Sequence, residues 1–395
     1  MIYLDYNATT PLCREARDAM LPYLEQHFGN PSSVHAAGRA ARAAIDDARD
    51  KLAALLRAKP HEIIFTSGGT ESNNLAVLGL ARHRAPQKHL ISCRTEHHAV
   101  LNAIEHLEKR EGFEVTWLNV SRDGLVDLEQ LAKTIRPDTA LVSIMTANNE
   151  TGVIQPMAQI SEICRARGAL LHSDMVQSFG KSASRTDSSG GEIDVDLSWC
   201  DAASFAAHKF YGPKGAGLLF LRSGLAIEPI FFGGAHENER RPGTENVAAI
   251  AGMAAAADAT VARQEPEQER EKKLRDQLWE KIRVPHAKQN GDASPRLANT
   301  LNVSFPGIDS ETMLMALDLE GVCASSGSAC MVGSVVASHV LLAMGLPMER
   351  ARSAIRFSLG TLTSTGEIEQ TASAIERIVT RLSQSKATSD TYAVA

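Results

Sequence analysis

The sequence has no CxxC pair, no basic leader followed by an apolar stretch, no apolar run of bilayer length and no strong excess of one charge. Each absence removes a class of protein. The six cysteines, at 13, 93, 164, 200, 323 and 330, form no regular framework. They fit a reducing compartment, where thiols are core filler or reactive groups rather than staples. The opening Met1-Ile2-Tyr3-Leu4-Asp5 is not a secretory signal. The longest apolar run, Val247 to Ala257, is eleven residues of mostly alanine, well short of the ~20 that span a bilayer. Forty-one Lys and Arg against 47 Asp and Glu leave a net charge of −6, so bulk electrostatics offer no reason to expect nucleic acid or membrane as a direct partner. With 44% hydrophobic, 22% charged and only 5% aromatic residues, the reading is a soluble cytoplasmic globular protein. A chain of 395 residues is long enough for two or more domains.

Short β-rich runs alternate with helical stretches from Glu62 to Arg222. Predicted strands fall at 62–66, 90–92, 114–120, 140–145, 169–173, 202–206 and 217–222, with helices at 72–83 and 99–111 between the early ones. This alternation implies βαβ units and a mostly parallel sheet covered on both faces. The texture changes near residue 258. A densely charged stretch through Glu280 reads as a long solvated helix, which Pro266 should kink or restart. Strands at 300–305 and 355–358 follow, with helices from Ser310 and Ser334 and a last one from Glu367 to about Leu382. The fold class is therefore α/β, with a large domain over roughly 14–257 and a small α+β domain formed by 258–395 together with 1–13. Ser182 to Glu192 reads as a surface loop, and the tail from Ser383 as frayed.

Four segments carry chemistry. Thr66-Ser67-Gly68-Gly69-Thr70-Glu71 lies between a strand and a helix. Its glycines let backbone N–H groups approach a ligand, and the helix dipole favours a phosphate there. The plain alternative is an ordinary turn with Thr70 as helix cap. Asp174 falls at the carboxyl end of a strand, with Gln177 three residues on; open α/β sheets bind ligands at that edge. A helix cap is the plain alternative, but a pyridine cofactor needs a carboxylate to keep its ring nitrogen protonated. Lys209, between His208 and a Gly-Pro turn, is poorly placed for a solvated charge, and a lowered pKa there would allow a Schiff base. Glycine turn, strand-end Asp and loop Lys, in that order, suit pyridoxal 5'-phosphate (PLP). Finally, Ser325-Ser326-Gly327-Ser328-Ala329-Cys330 carries a thiol at the end of a small-residue loop, a nucleophile candidate, whereas Cys164 and Cys323 read as packing thiols. The scattered histidines and the lack of HExxH give a metal site little support.

These motifs, together with Tyr3-Leu4-Asp5-Tyr6-Asn7-Ala8-Thr9-Thr10, Asn30-Pro31-Ser32-Ser33-Val34-His35, Glu71-Ser72-Asn73-Asn74, Thr95-Glu96-His97, Asn148-Asn149-Glu150-Thr151-Gly152, Arg241-Pro242-Gly243-Thr244-Glu245-Asn246 and Arg356-Phe357-Ser358, resemble the cysteine desulfurases of the NifS/IscS-like group. That group consists of fold-type I PLP enzymes of the class V aminotransferase family. The resemblance implies that Lys209 binds PLP and moves protons at the substrate α-carbon, and that Asp174 pairs with the ring nitrogen. It implies that Gln177 and Asn149 contact the ring oxygen and substrate side, and that His97 stacks on the ring and can act as acid or base. Gly69, Thr70 and His208 would hold the phosphate, with Thr244 reaching in from the second subunit of a homodimer. Arg356 would take the substrate carboxylate through its bidentate fork, and Cys330 would receive sulfur from L-cysteine as a persulfide. A sulfur-acceptor protein, such as an iron–sulfur scaffold or other sulfur carrier, is the implied partner.

Two positions depart from the family pattern. Ala206 stands where a Ser or Thr commonly supplies a hydroxyl to the phosphate, and Met331 to His339 is more apolar than the usual stretch after the thiol. The alternatives are a PLP lyase acting on selenocysteine or cysteine sulfinate, and a degenerate scaffold protein. Retention of Lys209, Asp174, His97, Cys330 and Arg356 argues against the scaffold.

Overall fold

The runs of small and branched apolar residues assemble into one seven-stranded sheet. In chain order its strands are β1 (Ile63–Thr66), β2 (His89–Cys93), β3 (Glu114–Leu118), β4 (Thr139–Ser143), β5 (Leu170–Asp174), β6 (Ala202–Ala206) and β7 (Gly217–Leu221). The computed structural model describes residues 1–181, 185–186, 192–193, 197–327 and 337–392, without the side chains of 185–186, 192–193 and 385–392. The spatial order is β1-β7-β6-β5-β4-β2-β3. Strands β3, β2, β4, β5 and β6 run parallel, and β7 is antiparallel to both its neighbours. The expected mostly parallel α/β sheet is thus present, with one reversed strand near its end.

Five of the seven strands are buried along their whole length, because helices cover both faces. Alternate residues serve opposite layers. Ile63, Phe65 and Leu218 pack with Ile45, Leu52, Ile250 and Met253 of helices Ala36–Leu55 and Val247–Ala262. Ile64 and Leu219 pack with Leu75, Leu80, Val100 and Ile104 of helices Gly69–His83 and His98–Glu111. The alanine-rich run at 247–257 is therefore a core helix whose small residues admit close neighbours. A Cβ on Gly252 would lie 2.6 Å from Met20 Cγ in helix Arg14–Glu25.

A second apolar core joins Ile2 and Leu4 to Leu278, Leu301, Val303, Met313, Phe357, Ile368 and Ile375. Its antiparallel strands are Lys288–Gln289, Thr300–Ser304 and Ala354–Ser358, and Ile2–Tyr3 pairs in parallel with Val322–Cys323. The first strand of the chain is thereby stitched to its last third, and residues 5–10 are carried across to the large sheet.

Several boundaries differ from expectation. In the charged stretch Pro266 marks a restart, one of the two outcomes expected of it, and the new helix begins at Gln264 and not at 261. Helix Val247–Ala262 stops at Arg263 and Gln264–Lys281 starts afresh, with Pro266 in its first turn, where a missing N–H is tolerated. The last helix continues through Tyr392 instead of fraying near Ser383. Within the supposed surface loop, Arg185–Thr186 pairs with Glu192–Ile193. The helix expected from Ser334 begins outside the described residues, and His339–Ala343 is helical. Among the described residues no helix is long and apolar enough to cross a membrane.

Candidate active site

At the end of β1 the chain turns through Ser67 and Gly68 into helix Gly69–His83. Gly68 has φ 150° and caps the helix, a backbone state that favours glycine. Thr70 therefore lies inside the first turn, exposed, and is not the cap. A Cβ on Gly69 would sit 2.7 Å from Val176 Cγ2 and 3.4 Å from Ala206 Cβ, so only glycine lets this turn lie against the sheet edge. Glu71 ties the turn down: its carboxylate accepts from Ser67 N at 2.7 Å and from Arg241 Nε at 2.7 Å. The N–H groups of the first helical turn are thus presented outward, a ready anion site. The hydroxyl missing at Ala206 is not replaced by Ser204, whose Oγ is buried at 3.0 Å from His172 Nε2.

Asp174 ends β5. Asn73 Nδ2 donates to its Oδ2 at 2.6 Å and Val176 N to its Oδ1 at 2.9 Å. Asn73, which sequence pattern alone does not single out, is the side chain that orients this acid. His97 caps helix His98–Glu111, its Nδ1 accepting from Ala99 N at 3.1 Å. Burial lowers its pKa, against the pull of Asp174, so the ring is neutral with its proton assigned to Nε2. His98 is exposed and lies 4.5 Å, ring to ring, from His339.

Strand β6 leads into a tight turn at Ala207–Lys209. Burial pulls His208 down to about 4, helped by the neighbouring lysines, and its Nδ1 lies 3.2 Å from Thr9 Oγ1. Lys209 Nζ donates to the carbonyls of Asn7 at 2.6 Å and Ala8 at 2.8 Å. Burial, with Lys181 and Arg356 adding to it, brings Lys209 down to about 7, against Asp174 and Asp5. An amine near half-protonation at neutral pH is a usable nucleophile and base.

The segment Asp5–Thr10 closes the site from the other side. Gln177 Nε2 donates to Asn7 O at 2.8 Å, so Gln177 and Lys209 share one acceptor. Asn7 Nδ2 reaches Thr300 Oγ1 at 2.9 Å and Asn149 O at 3.2 Å. Arg356 donates to Asp5 Oδ1 at 2.6 Å and to Asn149 O at 3.0 Å. Its buried Nε has no partner among the described residues. Asn149 enters this network through its carbonyl. Thr244 is exposed on the stretch that follows Arg241.

Cys330 lies outside the described residues. Before it, Ser325 exchanges backbone hydrogen bonds with Arg356 at 3.1 and 2.6 Å, and Gly327 packs on Glu150, where an added Cβ would fall 2.6 Å from the carboxyl carbon. After it, Ser338 Oγ donates to Glu150 Oε2. The segment bearing the thiol therefore leaves from Arg356 and returns at the same buried glutamate. Burial raises the thiols of Cys13, Cys93 and Cys323, and pushes Cys164 up to about 12, which makes them poor nucleophiles.

An outward anion cradle at Gly69, a hydrogen-bonded carboxylate at Asp174 and a part-neutral amine at Lys209 fit a flat cofactor bearing a phosphate, a basic ring nitrogen and an aldehyde. Comparison with known proteins agrees. The family description aminotransferase class-V matches residues 2–371. A cysteine desulfurase IscS from Dictyoglomus turgidum is 46% identical over 384 residues, 96% of this chain and 95% of the relative. One from Methanosarcina thermophila is 43% identical, covering 96% of this chain and 92% of the relative. The solved structure of a NifS-like protein from Rickettsia africae superposes with a TM-score of 0.84 at 34% identity, covering 96% of this chain and 99% of the other.

Proposed function

Since the chain belongs to the class-V aminotransferases, and within them to the cysteine desulfurases, we propose that it converts L-cysteine to L-alanine and carries the released sulfur on Cys330. The observation that carries this reading is the convergence of Gly69, Asp174 and Lys209 on one edge of the large sheet, with Arg356, from strand Ala354–Ser358 of the smaller sheet, close enough to act on Lys209. Enzymes of this family depend on PLP, which when bound supplies an electron sink for charge developing at the substrate α-carbon.

The protein's own residues divide the work. The backbone N–H groups of Gly69 and Thr70, with His208, would hold the phosphate. Asp174, fixed by Asn73, would keep the ring nitrogen protonated, and the neutral His97 would face the ring. Gln177 and Asn149 would contact its oxygen side. Lys209 would bind the cofactor and then accept and return the α-proton. Arg356 would take the substrate carboxylate, its free Nε adding a donor to the fork. The Cys330 thiolate attacks the substrate sulfur; the S–S bond forms as the C–S bond breaks, and protonation of the β-carbon gives alanine.

Further parts of the reading are a homodimer, a cytoplasmic location, an acceptor protein such as an iron–sulfur scaffold, and the division into 14–257 and 1–13 plus 258–395. The exposure of Thr244, Phe231, Phe232 and Phe28 supports a second copy that covers this side and completes the phosphate site. The test is incubation of the PLP-loaded chain with sulfur-labelled L-cysteine. Alanine and protein-bound sulfur should form in equal amounts, with the label on Cys330. Full activity in Cys330→Ala would rule out the persulfide route.

A further inference from the structure

Lys209 also lines a second space, a cavity of about 430 Å³ bounded by Lys181, Tyr211, Arg263, Glu267 and Glu271 among others. Lys181 is buried, and its Nζ donates to Gln177 Oε1 at 3.3 Å. The other end of that amide donates to Asn7 O, the carbonyl that also receives Lys209. Two lysines are therefore joined through one side-chain amide and one shared acceptor. A neutral amine has two N–H groups and a lone pair, and the carbonyls of Asn7 and Ala8 occupy both N–H groups of Lys209.

The charges facing Lys209 come from several elements. Asp174 on β5 and Asp5 on the N-terminal segment favour its protonation, while Lys181 and Arg356 oppose it. His97 and His208 are both held neutral. Arg356 is paired directly with Asp5. Lys181 has no ion pair among the described residues, and Glu271 acts on it from across the cavity. Its charge is the least cancelled of the positive ones.

We propose that Lys181 is a positioning residue for Lys209: anchored through Gln177 to the carbonyl that receives Lys209, it sets a positive charge beside that amine and favours its neutral, nucleophilic form. The proposal rests on the reading of Lys209 as the cofactor lysine. Lys181 is second only to burial among the causes that lower Lys209, ahead of Arg356. Burial lowers Lys181 itself while Glu271 opposes, and burial raises Glu271 while Lys181 opposes, so the two titrate as a pair.

The test is the pH dependence of Lys209 acylation in the full-length chain freed of cofactor. Trace acetic anhydride is added between pH 5 and 11, and each lysine is quantified by mass spectrometry with exposed Lys214 as the reagent standard. In the wild type the Lys209 midpoint should fall near 7. Lys181→Met, or Lys181→Gln if the first does not fold, should raise it by about one unit, a roughly fivefold drop in labelling at pH 7; Lys181→Arg should keep the wild-type midpoint. A wild-type midpoint above 9 overturns the proposal. So does a charge-removing variant with an unchanged midpoint, or an Arg variant shifted as far as Met, which would mean packing rather than charge. Labelling needs neither cofactor nor turnover, so a cofactor adduct found on another lysine would defeat the reading of Lys209 without deciding the role of Lys181.

Discussion

Two parts of the chain meet at Lys209 by different means. The edge of the parallel sheet offers side chains and a helix start: Asp174 from the end of β5, Lys209 from just past β6, and the Gly68–Gly69 turn after β1. The N-terminal segment offers mainly carbonyls, from Asn7 and Ala8 to Lys209 and from Asn7 to Gln177. The first region determines which chemistry is available, because each group there has its own charge and acidity. The second sets where the amine sits and how many protons it keeps. A site of this kind needs both, and substitutions should separate them.

The largest effect belongs to the sheet edge. Lys209→Ala should remove the visible absorbance of the PLP-loaded protein and lower turnover by about a thousandfold or more; a spectrophotometer and an alanine assay decide it. Asp174→Ala should follow, at about a hundredfold in kcat. It also strands the Asn73 amide, at about 1–3 kcal/mol of stability, visible in denaturant unfolding. Across the site, Arg356→Lys keeps the charge but loses the fork, so KM for L-cysteine should rise about tenfold with kcat less affected.

The N-terminal side should respond differently. Asn7→Ala leaves the carbonyl in place but removes the bonds to Thr300, Asn149 and Asn299. It should cost about 2 kcal/mol of stability while turnover falls only several-fold. If it instead matched Lys209→Ala in activity, the division between the two regions would be broken. A last effect bears on stability and not on turnover: it concerns Glu96, whose fully buried carboxyl is raised to about 8 by burial and by Asp174. Between about pH 4.5 and 8 the native state holds a proton that the unfolded chain releases, so stability falls as pH rises through that window. The limiting slope is about 1.4 kcal/mol per unit. Thermal unfolding of Glu96→Gln across the same range should lack this component.

The contrast also explains what could be read from the residues alone. Asp174, Lys209 and the glycine turn are legible because strand period and turn chemistry place them at one edge and their side chains name their function. The role of Asn7 is not, because it acts through a carbonyl that every residue possesses. Asn73 lies in a segment that reads as ordinary helix and Lys181 in one to which the pattern assigns no element, and only the folded chain shows them at Asp174 and Gln177. Helices Arg14–Glu25 and Ala36–Leu55 escape notice for a related reason. They start at Cys13 and His35, whose sulfur and imidazole nitrogen act as caps in place of the usual Ser, Thr, Asp or Asn.

The most direct measurement is the covalent address of the cofactor. The PLP-loaded wild-type chain is reduced with borohydride, digested and mapped by mass spectrometry. A single phosphopyridoxyl adduct on Lys209 is the predicted result. An adduct on Lys181 or Lys214, or none at all, would contradict the convergence of the two regions on that amine.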